Sequence, residues 1–420
     1  MKSMLFAMTA TTALTALPAF AVERAEVLDT YANIAAAGYA DSLTTAQALQ
    51  TAVDALLDQP SEAALQAART AWIAARVPYM QTEAYRFGNA IVDDWEGRVN
   101  AWPLDEGLID YVDATYGGAT DENEFAVLNV VANPSFTLSG EEVDASAITP
   151  ALLQDTLQEA DGVEANVATG YHAVEFLLWG QDLNGTDAGA GDRPWTDYAA
   201  GDDCTNGNCD RRGDYLRAVT DLLVTDLDEM AAAWADGGAA RTAVLADETA
   251  GISAMLTGMG SLSYGELAGQ RMKLGVMMND PEEEHDCFSD NTHMSHYYDG
   301  LGVQNVYLGS YTRVDGSTVS GPSLSDLVAQ ADPAIDAQLK TELEASVAAL
   351  AVIRDKAEAG MAYDQMLARD NTEGEALVMG AVDALVIQTR SIERAVAALD
   401  LNGIAVEGSD SLDNSNAVFQ

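Results

Sequence analysis

Apolar residues return every three or four positions along most of this chain. One such series is Ala64, Ala67, Ala68, Ala71, Trp72 and Ala75. This spacing puts the apolar side chains on one face of a helix, where a neighbouring element can bury them. The pattern predicts helices over residues 24–57, 61–87, 150–183, 215–236, 239–278, 323–360 and 373–401.

Alternation of apolar and polar residues, which is typical of strands, is scarce. Residues 127–131 form one candidate strand. Because amphipathic helices bury their apolar faces against one another, a chain dominated by them folds into helical bundles. The sequence therefore predicts an all-α protein.

The order of predicted helices and irregular segments is similar in the two halves of the chain. In each half, two helices lead into an acidic, irregular segment, at 87–107 and at 279–311, and further helices follow. This order predicts two related up-and-down helical bundles packed together. The Gly- and Asp-rich stretch 184–213 is the natural boundary. We expect an N-terminal bundle over 22–200 and a C-terminal bundle over 201–420.

The first residues have the pattern of an export signal. A basic residue, Lys2, precedes an apolar stretch over 4–20, and Ala19 and Ala21 are the small residues expected before a cleavage site. The stretch is too short for a convincing membrane span, and no later run is long enough for one. We predict a cleavable signal peptide at 1–21 and a periplasmic protein. A retained N-terminal helix is the alternative.

The charge balance excludes some partners. The chain has 67 acidic and 20 basic residues, which gives a net charge of −47, yet 48% of its residues are hydrophobic. The apolar content is enough for a large core, so the acidic residues must cover the surface. Such a surface does not bind nucleic acid or anionic lipid nonspecifically. Solubility in salty surroundings explains most of the charge.

Two of the three cysteines are close in sequence. Cys204 and Cys209 flank the loop Thr-Asn-Gly-Asn, and in an oxidising compartment this spacing predicts a disulfide. A zinc site is the rival interpretation, although no second cysteine pair or nearby histidine supports it. Cys287 is left as a free thiol.

The strongest chemical signal is the run Gly170-Tyr171-His172-Ala173-Val174-Glu175. Residues three apart lie on the same face of a helix, so His172 and Glu175 can point to one metal ion. Iron, zinc and manganese accept both ligand types. The alternative is a core histidine that is hydrogen-bonded to a neighbouring glutamate. The chain lacks the His-Glu-x-x-His pattern of zinc peptidases.

Two further segments carry candidate residues. Glu83 supplies a third ligand if the helix over 61–87 packs against the His172 helix, and Arg86 is placed to orient a carboxylate or bind an anion. In the acidic loop that follows, Trp95, Trp102 and Asp105 are candidate cleft residues. An ordinary helix end and a structural lid are the respective alternatives.

Three of the four histidines lie within 282–296, among carboxylates. Glu284, His285, Asp290 and His293 form a candidate second metal locus, and a polar turn between helices is the alternative. The run over 182–187 resembles a calcium loop faintly, but it lacks the spacing and the closing glutamate of one, so we predict an ordinary loop.

The motifs together resemble a known family. Gly170-x-His172-x-x-Glu175 is similar to the signature of imelysin-like proteins. The surrounding segments resemble the iron-regulated protein A branch of that family; they read PYMQTEAYRFG, EGRVNAWPLDEGLIDYV, GYHAVEFLLWGQD, GDRPWTDY, CTNGNCDRRGDYL and EEEHDCFSDNTH. The resemblance spans nearly the whole chain after the signal.

The resemblance implies two helical-bundle halves with a cleft between them. It also implies a bacterial protein of the periplasm, or one associated with the outer membrane, that takes part in iron acquisition. Our first hypothesis is a metal-binding protein, with iron held by His172, Glu175 and Glu83. A zinc-dependent imelysin-type peptidase is the enzymatic alternative. The third hypothesis is a cleft without catalysis that binds an envelope protein or a haem-like ligand.

Overall fold

The long stretches with helical periodicity form helices. The computed structural model describes residues 21–120 and 123–419, so the predicted signal peptide lies outside the described residues except for Ala21. The helices are α1 (Arg24–Asp58), α2 (Glu62–Met80), α3 (Ala90–Glu96), α4 (Glu106–Ile109), α5 (Pro150–Leu152), α6 (Gly170–Trp179), α7 (Cys209–Trp234), α8 (Ala239–Leu245), α9 (Glu248–Ser261), α10 (Leu274–Met278), α11 (Thr292–Leu308), α12 (Leu324–Ala331), α13 (Pro333–Glu358), α14 (Tyr363–Leu367), α15 (Thr372–Ala398) and α16 (Asp410–Asp413).

Two groups of long helices dominate the packing. In the first group, α1 packs against α2 and α7, and α6 packs against α2 and α7. In the second group, α15 packs against α13 and against the π-helical segment Leu262–Lys273 that joins α9 to α10, while α11 packs against α13. The groups meet where α11 lies against α2 and α9 lies against α1. The chain is therefore an all-α assembly of helical bundles, as the sequence predicted.

The predicted division at residues 200 and 201 stays a prediction. Helix α7, which that division assigned to the second bundle, packs against α1 and α6. The main hydrophobic core extends from α1 through α7 and into α11 and α12. A smaller apolar cluster lies among α13, α14, α15 and the π-helical segment.

Several predicted helices are shorter or broken. The helix expected over 150–183 was wrong in extent, because Glu159, Asp161 and Gly170 have positive φ and interrupt it. The helix expected over 323–360 breaks before Pro333, whose missing N–H suits the first position of a new helix, and the Asp332 side chain caps that start. The helix expected over 61–87 ends at Met80.

The strand prediction at 127–131 was wrong, because these residues form turns. Two short antiparallel hairpins occur elsewhere in the described part of the chain. They pair β1 (Ser135–Leu138) with β2 (Glu141–Asp144) and β3 (Ser310–Thr312) with β4 (Thr318–Ser320). The predicted disulfide between Cys204 and Cys209 is confirmed, and Cys287 is a buried free thiol. Among the described residues, no helix has both the length and the apolar character to cross a bilayer.

Candidate metal centre

Helix α6 carries the two residues of the strongest sequence signal, and every residue of this helix is buried. It begins at Gly170, which has φ of +81°. The next amide, Tyr171 N, donates to Val99 O at 2.7 Å. A Cβ on Gly170 would lie 2.5 Å from the same oxygen, so only glycine permits this close approach. The contact fixes where α6 starts and therefore where His172 points.

A second segment meets α6 from the other helix group. It lies between α10 and α11 and contains His285 and Asp286, which stand between the 3₁₀ turns Pro281–Glu283 and Cys287–Ser289. Phe288 O accepts from Gly191 N at 2.9 Å, and Asp286 N donates to Thr292 Oγ1 at 3.0 Å. The segment is thus tied both to the loop after α6 and to the start of α11.

The two segments place three ligand-type side chains together. His172, His285 and Asp286 each offer an atom that could bind a metal ion, and these atoms lie within 4.8 Å of one another. The imidazole centroids of His172 and His285 are 4.7 Å apart. All three residues are buried. Within the described part of the chain, His172 Nε2 and His285 Nδ1 have no hydrogen-bond partner, which is unusual for buried polar atoms.

Glu175 contacts the other nitrogen of His172. Its Oε2 lies 3.0 Å from His172 Nδ1, and its Oε1 accepts from the amide and the hydroxyl of Ser289 at 3.0 and 2.6 Å. An ionised Glu175 would accept the Nδ1–H in this place and leave the Nε2 lone pair free, whereas burial raises the pKa of Glu175 in the metal-free protein. Metal-binding histidines are commonly oriented in this way by a carboxylate on the opposite nitrogen.

Asp286 is held by three donors. Arg76 Nη2 lies 2.7 Å from its Oδ1, and its Oδ2 accepts from Asn291 Nδ2 at 3.0 Å and from the Ser295 hydroxyl. The Arg76 guanidinium also lies over the rings of Trp72, Tyr79 and Tyr171. The carboxylate is therefore fixed in position within the buried cluster.

Burial controls the protonation of this cluster. It lowers the pKa of His172 to about 3, and the Arg76 charge adds to that effect. Burial also lowers the pKa of His285 well below its usual range. Burial alone would raise the pKa of Asp286, but Arg76 and His172 bring it below its ordinary value. Two neutral imidazoles and one carboxylate result, and these are the protonation states that bind metals.

Trp102 lies against both histidines of this cluster and lines two cavities. Its ring centroid is 5.1 Å from that of His172 and 6.4 Å from that of His285. A cavity of about 450 Å³ has Trp102, His285, Arg86 and Arg271 in its wall. A second cavity, of about 720 Å³, is also lined by Trp102, together with Asp105. The first cavity gives an approach to His285.

The structure places the other predicted residues apart from the three-residue cluster. Glu83 forms an ion pair with Arg271 at 2.9 Å. Trp95 is buried against Tyr39 and Tyr79. Arg86 and Asp105 line the two cavities, as stated above.

The candidate second locus is divided. His285 lies with His172, and Asp290 lies in a different group of carboxylates with Asp182 and Asp364. Glu284 is buried, and its burial and then the charge of Asp364 raise its pKa. His293 belongs to neither group among the described residues.

Sequence reasoning missed Asp286 as a member of the cluster and Arg76 as its partner. Both are ordinary residues in their local context, and 210 positions separate them. It also missed His296, which is fully buried beside Tyr363 with both ring nitrogens lacking a partner. The crowding of histidines at 285–296 was the signal that pointed to this region.

Comparisons with known proteins agree with this architecture. The family model of imelysin, peptidase M75, matches residues 35–392. The chain belongs to the imelysin family. Iron-regulated protein A of Synechococcus elongatus is 39% identical over 83 residues, which is 20% of this chain and 21% of that relative.

A solved structure supports the fold independently. It comes from Parabacteroides distasonis and is assigned as an iron-regulated protein A precursor. It matches with a TM-score of 0.61 over 88% of this chain and 95% of its own, at 18% identity. At that identity the likeness establishes the fold alone.

Proposed function

We propose that this protein binds one iron ion through His172, His285 and Asp286 and takes part in periplasmic iron acquisition. The observation that carries the proposal is that His172, His285 and Asp286 are buried with ligand-type atoms within 4.8 Å of one another, while His172 Nε2 and His285 Nδ1 find no hydrogen-bond partner among the described residues. Leaving buried polar atoms without partners costs free energy, and a bound metal ion removes that cost.

The donor set favours iron. Two imidazoles and one carboxylate are the ligands of many non-haem ferrous sites, although zinc also accepts them. In this proposal Glu175 orients His172 through its Nδ1 side, and the ligands are the three residues whose ligand-type atoms lie within 4.8 Å of one another, His172, His285 and Asp286. Asp286 replaces Glu83 as the third ligand because Asp286 lies in the group with the two histidines, whereas Glu83 lies outside it and pairs with Arg271.

Export and iron acquisition rest on the family and on the relatives. The relative from Synechococcus elongatus carries the name iron-regulated protein A. The N-terminal 21 residues have the pattern of a signal peptide. An iron-binding protein in the periplasm would hold the ion between the outer membrane and the transport machinery.

The imelysin-type peptidase is less well supported by the geometry. A metallopeptidase needs an open coordination position and a base beside a metal-bound water. The acid nearest to His172, Glu175, is buried and occupied by Ser289. No other carboxylate in the described cluster is free of an arginine partner and also faces a cavity.

The test is anaerobic titration of metal-free mature protein with Fe²⁺ and, separately, with Zn²⁺, monitored by calorimetry. We expect one saturable iron site. His172→Ala and His285→Ala should each weaken binding at least 100-fold, while His293→Ala, the matched histidine outside the cluster, should bind like the wild type. Wild-type affinity in both cluster variants would refute the site.

A cleavage assay tests the peptidase alternative. Cleavage of an unfolded protein substrate by the metal-loaded wild type, and not by His172→Ala, would favour the peptidase.

A further inference from the structure

A second group of acidic side chains lies apart from the histidine cluster. Asp182 follows α6, Asp290 precedes α11, and Asp364 belongs to the short helix α14. Each offers one carboxylate oxygen, and these oxygens lie within 4.8 Å of one another. The three residues come from distant parts of the sequence, so the fold brings them together.

These carboxylates lack the arginine partners that several buried acids in this chain have. Asp110, for example, is paired with Arg193 at 2.7 Å and with Arg212 at 2.6 Å. In the part of the chain that the structure describes, no ion pair involves Asp182, Asp290 or Asp364. Three carboxylates this close repel one another strongly unless protons or a cation neutralise them.

One member of the group is buried and unsatisfied. Asp364 is 2% exposed, and no side-chain donor reaches either of its carboxylate oxygens. Asp290 Oδ1 is also buried without a partner. Asp182 is half-buried, and only its Oδ1 is used, by the amide and the side chain of Asn184 at 2.8 Å each. The group within 4.8 Å thus includes two residues, Asp290 and Asp364, that have unused buried carboxylate oxygens.

The donor atoms of Asp182, Asp290 and Asp364 favour a hard cation. Its donors are oxygens, with no imidazole or thiolate among them, and calcium and magnesium prefer such donors. Calcium tolerates irregular geometry and six to eight ligands, whereas magnesium demands an octahedron. Asp182 lies in the wall of the 720 Å³ cavity, so water can reach the group and complete the coordination shell.

We propose that Asp182, Asp290 and Asp364 bind a calcium ion that joins the loop after α6 to α14 and to the segment before α11. The ion would link the two helix groups at a place distinct from the histidine cluster. Because Asp290 lies four residues after Asp286, the same ion would also hold the segment that carries His285. The large negative charge of the molecule would raise the local concentration of cations.

The test is calorimetric titration of the chelator-treated mature protein with CaCl₂ in 0.15 M KCl, which screens the acidic surface. We expect one calcium ion per chain, bound more tightly than magnesium. Asp182→Asn and Asp364→Asn should each weaken calcium binding at least tenfold. Asp228→Asn removes the same charge from an exposed face of α7 and should bind calcium like the wild type.

A second readout separates this site from the iron site. Calcium should raise the thermal midpoint of the wild type and of His172→Ala, and it should not raise that of Asp182→Asn. The absence of saturable calcium binding in the wild type would overturn the proposal, and so would equal affinity in Asp182→Asn. Asp364 is buried, so Asp364→Asn could prevent folding. Asp182 is half-buried in a loop, and the Asp182→Asn variant alone then decides the test.

Discussion

At the scale of single residues, the position of His172 depends on a glycine. Gly170 combines φ of +81° with a backbone approach to Val99 that leaves no room for a Cβ. Gly170 is therefore needed for the chain path that positions His172.

We predict that Gly170→Ala lowers the free energy of unfolding by about 2–4 kcal/mol. An alanine at this position would have an unfavourable positive φ, and its Cβ would also clash with the backbone of Val99. Gly380→Ala is the control. Gly380 lies within α15, where an added Cβ would meet nothing within 4 Å, so alanine there should stabilise the protein by up to about 1 kcal/mol. Urea denaturation measures both. Equal effects of the two substitutions would contradict this account.

A buried acid on α7 should make stability depend on pH. Burial raises the pKa of Asp226 to about 6, although Arg98 offsets part of the effect. The unfolded value is about 3.9. The folded state therefore binds more protons between these values, and the stabilising contribution, present below about pH 4, is lost as the pH rises through 6.

Asp226→Asn should accordingly match the wild type in stability near pH 4 and exceed it by about 1–2 kcal/mol at pH 8. Arg98 keeps Glu229 as a partner at 2.6 Å in the variant. Denaturant midpoints across this pH range measure the difference. Asp228→Asn, on an exposed position of the same helix, should show no such trend. A difference between Asp226→Asn and the wild type that stays constant with pH would refute the prediction.

At the scale of elements, local patterns predicted the long helices well and their interruptions poorly. The starts of α1 and α15 agree with the sequence to within one residue. The break within 150–183 depends on positive φ at Glu159 and Asp161, residues whose side chains give little warning of that conformation.

In the candidate site, too, local contacts could be predicted from the sequence and long-range contacts could not. His172 and Glu175 were paired from their spacing in one helix, whereas Asp286 and Asp364 reach their partners only through the packing of distant elements.

Arg76 of α2 and Asp286 before α11 show how such packing is secured. Their ion pair is fully buried, so removing one partner leaves an uncompensated charge. We predict that Arg76→Met costs about 3–5 kcal/mol. The double variant Arg76→Met/Asp286→Asn should cost less than the sum of the two single variants, by at least about 1 kcal/mol. A double-mutant cycle in urea, on metal-free protein, measures this. Strict additivity would mean that the pair does not couple the two elements.

At the scale of the whole molecule, two helix groups share a hydrophobic core while the surface carries a large excess of acid. The core and its buried ion pairs are shielded from solvent, as with Arg193 and Asp110. The remaining acids repel one another through water. Core packing and buried ion pairs thus stabilise the fold, and repulsion between the surface carboxylates destabilises it. The two candidate cation sites lie where elements of the two helix groups meet.

Salt should therefore stabilise this protein. The net charge is −47, and the screening length falls from about 30 Å at 0.01 M salt to about 3 Å at 1 M. Each pair of exposed like charges costs a few tenths of a kcal/mol, so screening should raise the free energy of unfolding by on the order of a few kcal/mol. Urea denaturation in NaCl with a chelator measures this effect apart from divalent cations. A zwitterionic osmolyte at equal osmolality is the control and should give a smaller rise. A midpoint that is insensitive to NaCl would mean that the acidic residues are spaced too widely to repel one another.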